Sequence, residues 1–136
     1  MPIVFILVLI LDSTILHIST FLAEDIDIAI RLTMGIPFLF LSYYLMDRSH
    51  KMIFGDHEGL IDKGIYGRLR HPMYLGTLMI YVFFVLVSLS ILAILTWIAI
   101  FLVYDRLAAY EERVLLEDLG GDYAEYMKRV HRWFPI

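Results

Sequence analysis

The sequence predicts an all-α integral membrane protein: a helical bundle of about four transmembrane helices with a cytoplasmic C-terminal helical tail. Three observations carry this. The chain is 60% hydrophobic over 136 residues, with a mean hydropathy of +0.75, where ordinary globular domains are roughly 45–50% apolar. The stretch from Met73 to Tyr104 holds no charged residue. The charges are uneven: nine fall in residues 47–72 and twelve in residues 105–136. Each span needs roughly 20 residues, so four spans exhaust the length and residues 1–136 form a single membrane domain.

The spans follow in order. Residues 3–22 are apolar apart from Asp12, Ser13, Thr14, His17 and Ser19. The stretch MPIVFILVLILD lacks the basic flank of a cleaved signal peptide and reads as a retained first span. Glu24, Asp25 and Asp27 mark an acidic turn. A second span covers 28–46, with a kink expected at Pro37, which removes a ladder hydrogen bond. As one helix, Met73–Tyr104 would be about 48 Å long, well beyond the ~30 Å hydrocarbon core. Two helices, 73–88 and 90–108, joined near Ser88–Ser90, fit better. Ten of the eleven Lys and Arg residues lie in the two charged segments. The positive-inside rule places both segments, and with four spans the amino terminus, in the cytoplasm. Arg31 is the exception, near the outer end of its span, with Asp27 four residues earlier as its expected partner.

Composition removes several function classes. There is no Cys, which excludes thiolate metal sites and a Cys nucleophile. A net charge of −4 argues against nucleic acid as a partner. His50, Asp56, His57 and Glu58 share a loop, but their spacing matches no strong ligand pattern, so no metal is expected. Asp12 and His17 stand five apart, off a common helix face, and Asp12 is expected to make a helix contact rather than a site.

The first charged segment ends in GIYGRLRHPMYLG, residues 64–76. Gly64 and Gly67 suit a turn, and Pro72 suits a first helical turn. The N–H groups near Met73, Tyr74 and Leu75 then face the membrane boundary, where a carboxylate is favoured. Read alone, these basic residues are topology signals. The second segment is YEERVLLEDLGGDYAEYMKRVHRWFPI, residues 110–136. Glu111 and Glu112 continue the fourth helix into water, and Gly120–Gly121 break it. Tyr123, Tyr126 and Val130 recur at helical spacing. Trp133 and Phe134 read as interfacial anchors before Pro135.

Together the two segments are more specific than either. GxYxxxRHPxYxG followed by EExxL, then GxxY, a further Tyr and a closing R-W-x-P, resembles the isoprenylcysteine carboxyl methyltransferase family. That family has prokaryotic members and shares a wider superfamily with phospholipid N-methyltransferases. The resemblance covers about residues 58–136 and includes Leu60, Ile61, Gly64, Tyr66, Arg70, His71, Pro72, Tyr74, Gly76, Glu111, Glu112, Leu115, Gly120, Tyr123, Tyr126, Val130, Arg132 and Pro135.

The resemblance implies S-adenosylmethionine-dependent methyl transfer, at the cytoplasmic face of a prokaryotic plasma membrane, to a lipophilic or membrane-delivered acceptor such as an isoprenylcysteine carboxylate. It implies cofactor segments 58–76 and 106–135. Leu60, Ile61 and Tyr66 would line the cofactor pocket. His71, Pro72, Met73 and Tyr74 would hold the cofactor at the start of the third span, with Glu111 and Glu112 closing the site from the fourth. The pattern does not say which glutamate meets the cofactor. A carboxylate and aromatic faces suit a sulfonium cation. The family often carries an Arg four residues before the first Glu. That position here is Leu107, so Arg106 is the candidate for orienting the acceptor, and Arg113 competes with it. The catalytic set is thus Arg106, Glu111 and Glu112. Two other classes compete: a nicotinamide-dependent reductase of the sterol-reductase type, and a small non-catalytic membrane subunit. The pairing of RHPxYxG with EExxL favours the methyltransferase.

Overall fold

Two short side chains separate the long apolar helices. In the computed structural model, which describes residues 2–12, 20, 22–55 and 59–134, the uncharged stretch breaks after Ser88. Leu89 takes a positive φ of 48°, which ends the helix. Ser90 Oγ then accepts the Ala93 N–H at 3.0 Å, the arrangement of an N-cap serine. A new helix follows from Ile91. The break falls where the length of Met73–Tyr104 demanded one.

Six helices make up the described residues: α1 (Pro2–Ile10), α2 (Leu22–Asp25), α3 (Ile28–Ile53), α4 (Pro72–Ser88), α5 (Ile91–Leu119) and α6 (Gly121–Arg129). The class is all-α. The β-type contact among these residues is an isolated parallel bridge between Leu69 and His131. Two helices, α3 and α5, are long and apolar enough to cross a membrane, and α4 is a shorter apolar helix. Asp27 caps α3 by accepting the Ala29 N–H at 2.7 Å. The helix then runs through Pro37 to Ile53, seven residues past the expected end of that span. Gly120, with φ 57°, separates α5 from α6, as the Gly pair predicted.

The chain divides into two compact units, one of residues 1–41 and 78–103, the other of 42–77 and 104–136. In the first unit, Phe5 and Tyr81 pack with ring centroids 4.7 Å apart. Gly35 lets α3 approach α4, since a Cβ there would lie 2.8 Å from the Phe83 ring. Trp97 Nε1 donates to the Leu78 carbonyl at 3.2 Å. Asp12 is fully buried and accepts a hydrogen bond from Ser90 Oγ, the helix contact expected of it. His17 lies outside the described residues. The expected Arg31–Asp27 pair is not formed. Arg31 Nη1 instead donates to the Val87 carbonyl at 2.7 Å, because Asp27 is occupied in capping and the end of α4 offers an acceptor.

In the second unit, Tyr123, Tyr126 and Val130 are buried together, packed against Leu60, Leu115, Leu119 and Met127. The expected apolar face of the tail is therefore an internal surface. Tyr126 Oη donates to the Tyr66 carbonyl at 2.7 Å, tying α6 to the turn before α4.

Candidate functional site

The site residues come from three places in the second unit. The first is the turn of residues 59–69. Gly64 adopts φ +57°, and a Cβ on it would meet Met52 Sδ at 2.7 Å. Only glycine combines that backbone with that close approach. The turn brings Leu60, Ile61 and Tyr66 to one cavity wall. The Arg70 N–H then bonds the His131 carbonyl at 3.0 Å, fixing the entry to α4. His71 and Pro72 are both buried. The Leu75 N–H is taken by the His71 carbonyl at 3.0 Å. That corrects the expectation of a donor at Leu75 and leaves Met73 and Tyr74 as the first-turn positions.

The second place is α5. Adjacent residues on a helix point about 100° apart, and Glu111 and Glu112 show it. Glu112 turns inward and is 3% exposed. Its Oε1 accepts from His71 Nε2 at 3.0 Å and Arg132 Nε at 3.0 Å, and its Oε2 accepts from Arg132 Nη2 at 2.6 Å. Arg70 Nη1 stands 3.3 Å from Oε1. Glu111 is half exposed, with Oε2 3.6 Å from His71 Nδ1. Of the two, Glu111 lines the cavity.

The third place is the C-terminal segment. Arg132 Nη1 and Trp133 Nε1 each donate to Asp105 Oδ1 at 2.9 Å. Arg132 thus joins two carboxylates on α5, and its pKa is raised, chiefly by the hydrogen bond to Glu112. The sequence predicts Trp133 as an interfacial anchor. Its indole instead makes a polar contact to Asp105 and lies 6.2 Å from the His71 ring. Phe134 is exposed, and Pro135 lies outside the described residues.

These elements surround a cavity of about 270 Å³, close to the lower end of the roughly 300–1,000 Å³ typical of ligand pockets. Of the predicted set, Leu60, Ile61, Tyr66, His71 and Glu111 line it. Pro72 is packed inside the unit. Tyr74 stacks on His71 with centroids 5.4 Å apart and meets Tyr104 edge-on at 5.3 Å. Met73, Arg106 and Arg113 are exposed, and none of the three lines the cavity. His50 packs on Phe54 at 4.4 Å, while Asp56, His57 and Glu58 lie outside the described residues.

Seven lining residues have no site role expected from the sequence: Ile53, Gly59, Arg70, Leu115, Leu119, Tyr123 and Tyr126. The helical spacing of Tyr123 and Tyr126 was the available signal, but it reads equally as a surface face. Burial raises the phenol pKa of Tyr66 and Tyr126 and pushes that of Tyr123 up to about 12. The cavity therefore presents neutral phenols, apolar side chains and Glu111, together with Arg70 and His71, both of which also meet Glu112. Its other carboxylate neighbour, Glu112, is matched by cations of the protein itself. Such a wall suits a ligand that is part aromatic, part cation.

A family model described as phospholipid methyltransferase matches residues 26–121. The match takes in α3, the 59–69 turn, α4 and α5, and with them Leu60 through Glu112. No curated protein matches the chain.

Proposed function

Because the chain belongs to the phospholipid methyltransferase family, we propose that it transfers a methyl group from S-adenosylmethionine to a lipophilic or membrane-delivered acceptor at the cytoplasmic face of the membrane. The observation that carries the reading is the division of labour between the two adjacent glutamates. Glu112 is paired with Arg70 and Arg132 and hydrogen-bonded to His71, whereas Glu111 lines the cavity among phenols. A sulfonium cofactor needs an anionic group near its cation and an aromatic or apolar slot for its adenine.

The proposed roles follow. The cofactor supplies an activated methyl group bonded to a sulfonium sulfur. Glu111 stabilises the positive end of the cofactor. Leu60, Ile61, Leu115 and Tyr123 exclude water and grip its apolar part. His71 is held by Glu112 and by its stack on Tyr74, and it positions the wall where the turn enters α4. Direct methyl transfer needs alignment and desolvation more than acid–base chemistry. If the acceptor is a carboxylate, as in an isoprenylcysteine, no proton has to leave before attack. Arg106 lies one helical turn before Tyr110 on the exposed side of α5, and we assign it to the acceptor rather than to the cofactor. For the membrane arrangement we propose four spans, with the charged segments on the cytoplasmic side of a prokaryotic plasma membrane.

Calorimetry on the detergent-purified chain tests this. S-adenosylhomocysteine is expected to bind at micromolar concentration and NADPH not at all. NADPH binding without S-adenosylhomocysteine binding would replace the methyltransferase by a nicotinamide-dependent reductase. Glu111→Gln is expected to weaken S-adenosylmethionine at least tenfold with the fold intact, and His50→Ala to leave it unchanged. Equal affinity in wild type and Glu111→Gln would remove the proposed site.

A further inference from the structure

A second cavity of about 310 Å³ lies in the same unit, and its lining has basic residues but no carboxylate. Arg48 and Lys51 of α3 and Arg68 of the turn line it, with Tyr44 as an aromatic wall. Consecutive residues divide between the two cavities. Met52 and Ile65 line this one, whereas Ile53 and Tyr66 line the candidate cofactor cavity. The two cavities are thus backed against opposite sides of the same turn. The close contact of Gly64 with Met52 holds the turn that carries Arg68 against α3.

Topology alone requires basic residues near a span. It does not require three of them to converge on a cavity. Lys51 Nζ is paired with Asp47 at 2.8 Å. Among the described residues, no ion pair joins Arg48 or Arg68 to a carboxylate. Arg48 instead lies over the Tyr44 ring, 5.7 Å from its centroid, an arrangement that restrains the guanidinium without neutralising it.

We propose that this cavity is a phosphate site, filled by the phosphate of a membrane lipid headgroup. Guanidinium forks hold phosphate oxygens bidentately, and a lysine adds a point charge. Basic pockets beside membrane helices on the cytoplasmic side favour anionic lipids. Tyr43, 72% exposed, lies three residues before the expected end of the second span at residue 46, where an aromatic side chain suits headgroup depth. The assignment rests on the membrane reading above but not on the cofactor reading.

Native mass spectrometry of the full chain, released from detergent, tests it with phosphatidylglycerol and with diacylglycerol of the same acyl chains. Wild type is expected to retain phosphatidylglycerol at least tenfold better than the double variant Arg48→Gln/Arg68→Gln, and to retain little diacylglycerol. The variant Arg48→Lys/Arg68→Lys recovers part of the retention, and circular dichroism verifies that both variants keep their helices. Equal retention of phosphatidylglycerol in wild type and the glutamine variant would overturn the site. So would diacylglycerol retained as well as phosphatidylglycerol. Millimolar inorganic phosphate distinguishes the sources. Failure to displace the lipid assigns the site to a headgroup, while displacement with a rise in Tm seen in wild type alone keeps the phosphate chemistry and assigns it to a soluble ion. A chain that keeps phosphatidylglycerol but does not bind S-adenosylhomocysteine retains this site and loses the cofactor reading.

Discussion

In the unit of residues 1–41 and 78–103, polar side chains meet hydroxyl or carbonyl groups of neighbouring helices. Asp12 meets Ser90, Arg31 meets the Val87 carbonyl, and Trp97 meets the Leu78 carbonyl. In the unit of residues 42–77 and 104–136, one carboxylate gathers three cationic or donor side chains, and one of these, Arg132, bridges on to Asp105. The same unit holds both cavities. Single hydrogen bonds between helices suit an apolar scaffold, where each buried polar group has to find a partner. A connected network suits a site, because it fixes several side chains relative to one another.

The sharpest way to break this contrast is Glu112→Ala. It strands Arg132, Arg70 and His71 around a buried site, and breaking a buried pair in this way costs about 3–5 kcal/mol. Thermal unfolding in detergent is expected to show a large fall in Tm, together with loss of S-adenosylhomocysteine binding. Glu112→Gln keeps the shape and loses the charge, so it should fall between. In the other unit, Asp12→Ala removes one acceptor and is expected to cost about 1–3 kcal/mol, with cofactor binding per folded molecule unchanged. If Asp12→Ala were as damaging as Glu112→Ala, the contrast between a helix contact and an ion-pair network would fail.

A smaller effect comes from Tyr126→Phe, which deletes the hydrogen bond to the Tyr66 carbonyl and is expected to cost about 0.5–1.5 kcal/mol. The phenols also predict a pH dependence. The pKa of Tyr123 is pushed up by burial to about 12, against an unfolded value of about 10. A buried phenol holds its proton more tightly in the folded chain than in the unfolded one. Its contribution is therefore fully present below about pH 10 and is lost as pH rises toward 12. Stability measured across pH 7–12 should decline only in the upper part of that range, and a decline that began at pH 8 would point to another group. The smallest effect is expected for Arg106→Ala. Its side chain is exposed, so Tm should move by no more than about 0.5 kcal/mol equivalent, while turnover of a lipophilic acceptor falls.

Much of the fold was legible because its signals are local. The uncharged length of Met73–Tyr104 demanded a break, and Ser88–Ser90 marked it. Gly120–Gly121 marked the end of α5. Asp27 was read by its charge as a partner for Arg31, but as an N-cap it was closer to the Ala29 N–H. The choice between those roles depends on where the end of α4 lies, which no local pattern states. Tyr123 and Tyr126 had the correct spacing, yet spacing alone does not say whether a helix face meets solvent, lipid or the chain itself.

The sequence by itself determined the apolar all-helical class, the uneven placement of charge and the two paired motifs whose family membership the chain bears. Those rest on composition and short-range periodicity, which survive in one dimension. Only the tertiary structure put Glu111 at the cavity wall and Glu112 in the ion-pair network. A one-residue step rotates a side chain by about 100° on a helix, and which direction faces the cavity depends on Arg132, twenty residues later, closing back onto Glu112. That long-range ion pair takes one glutamate into the framework and leaves its neighbour at the cavity wall.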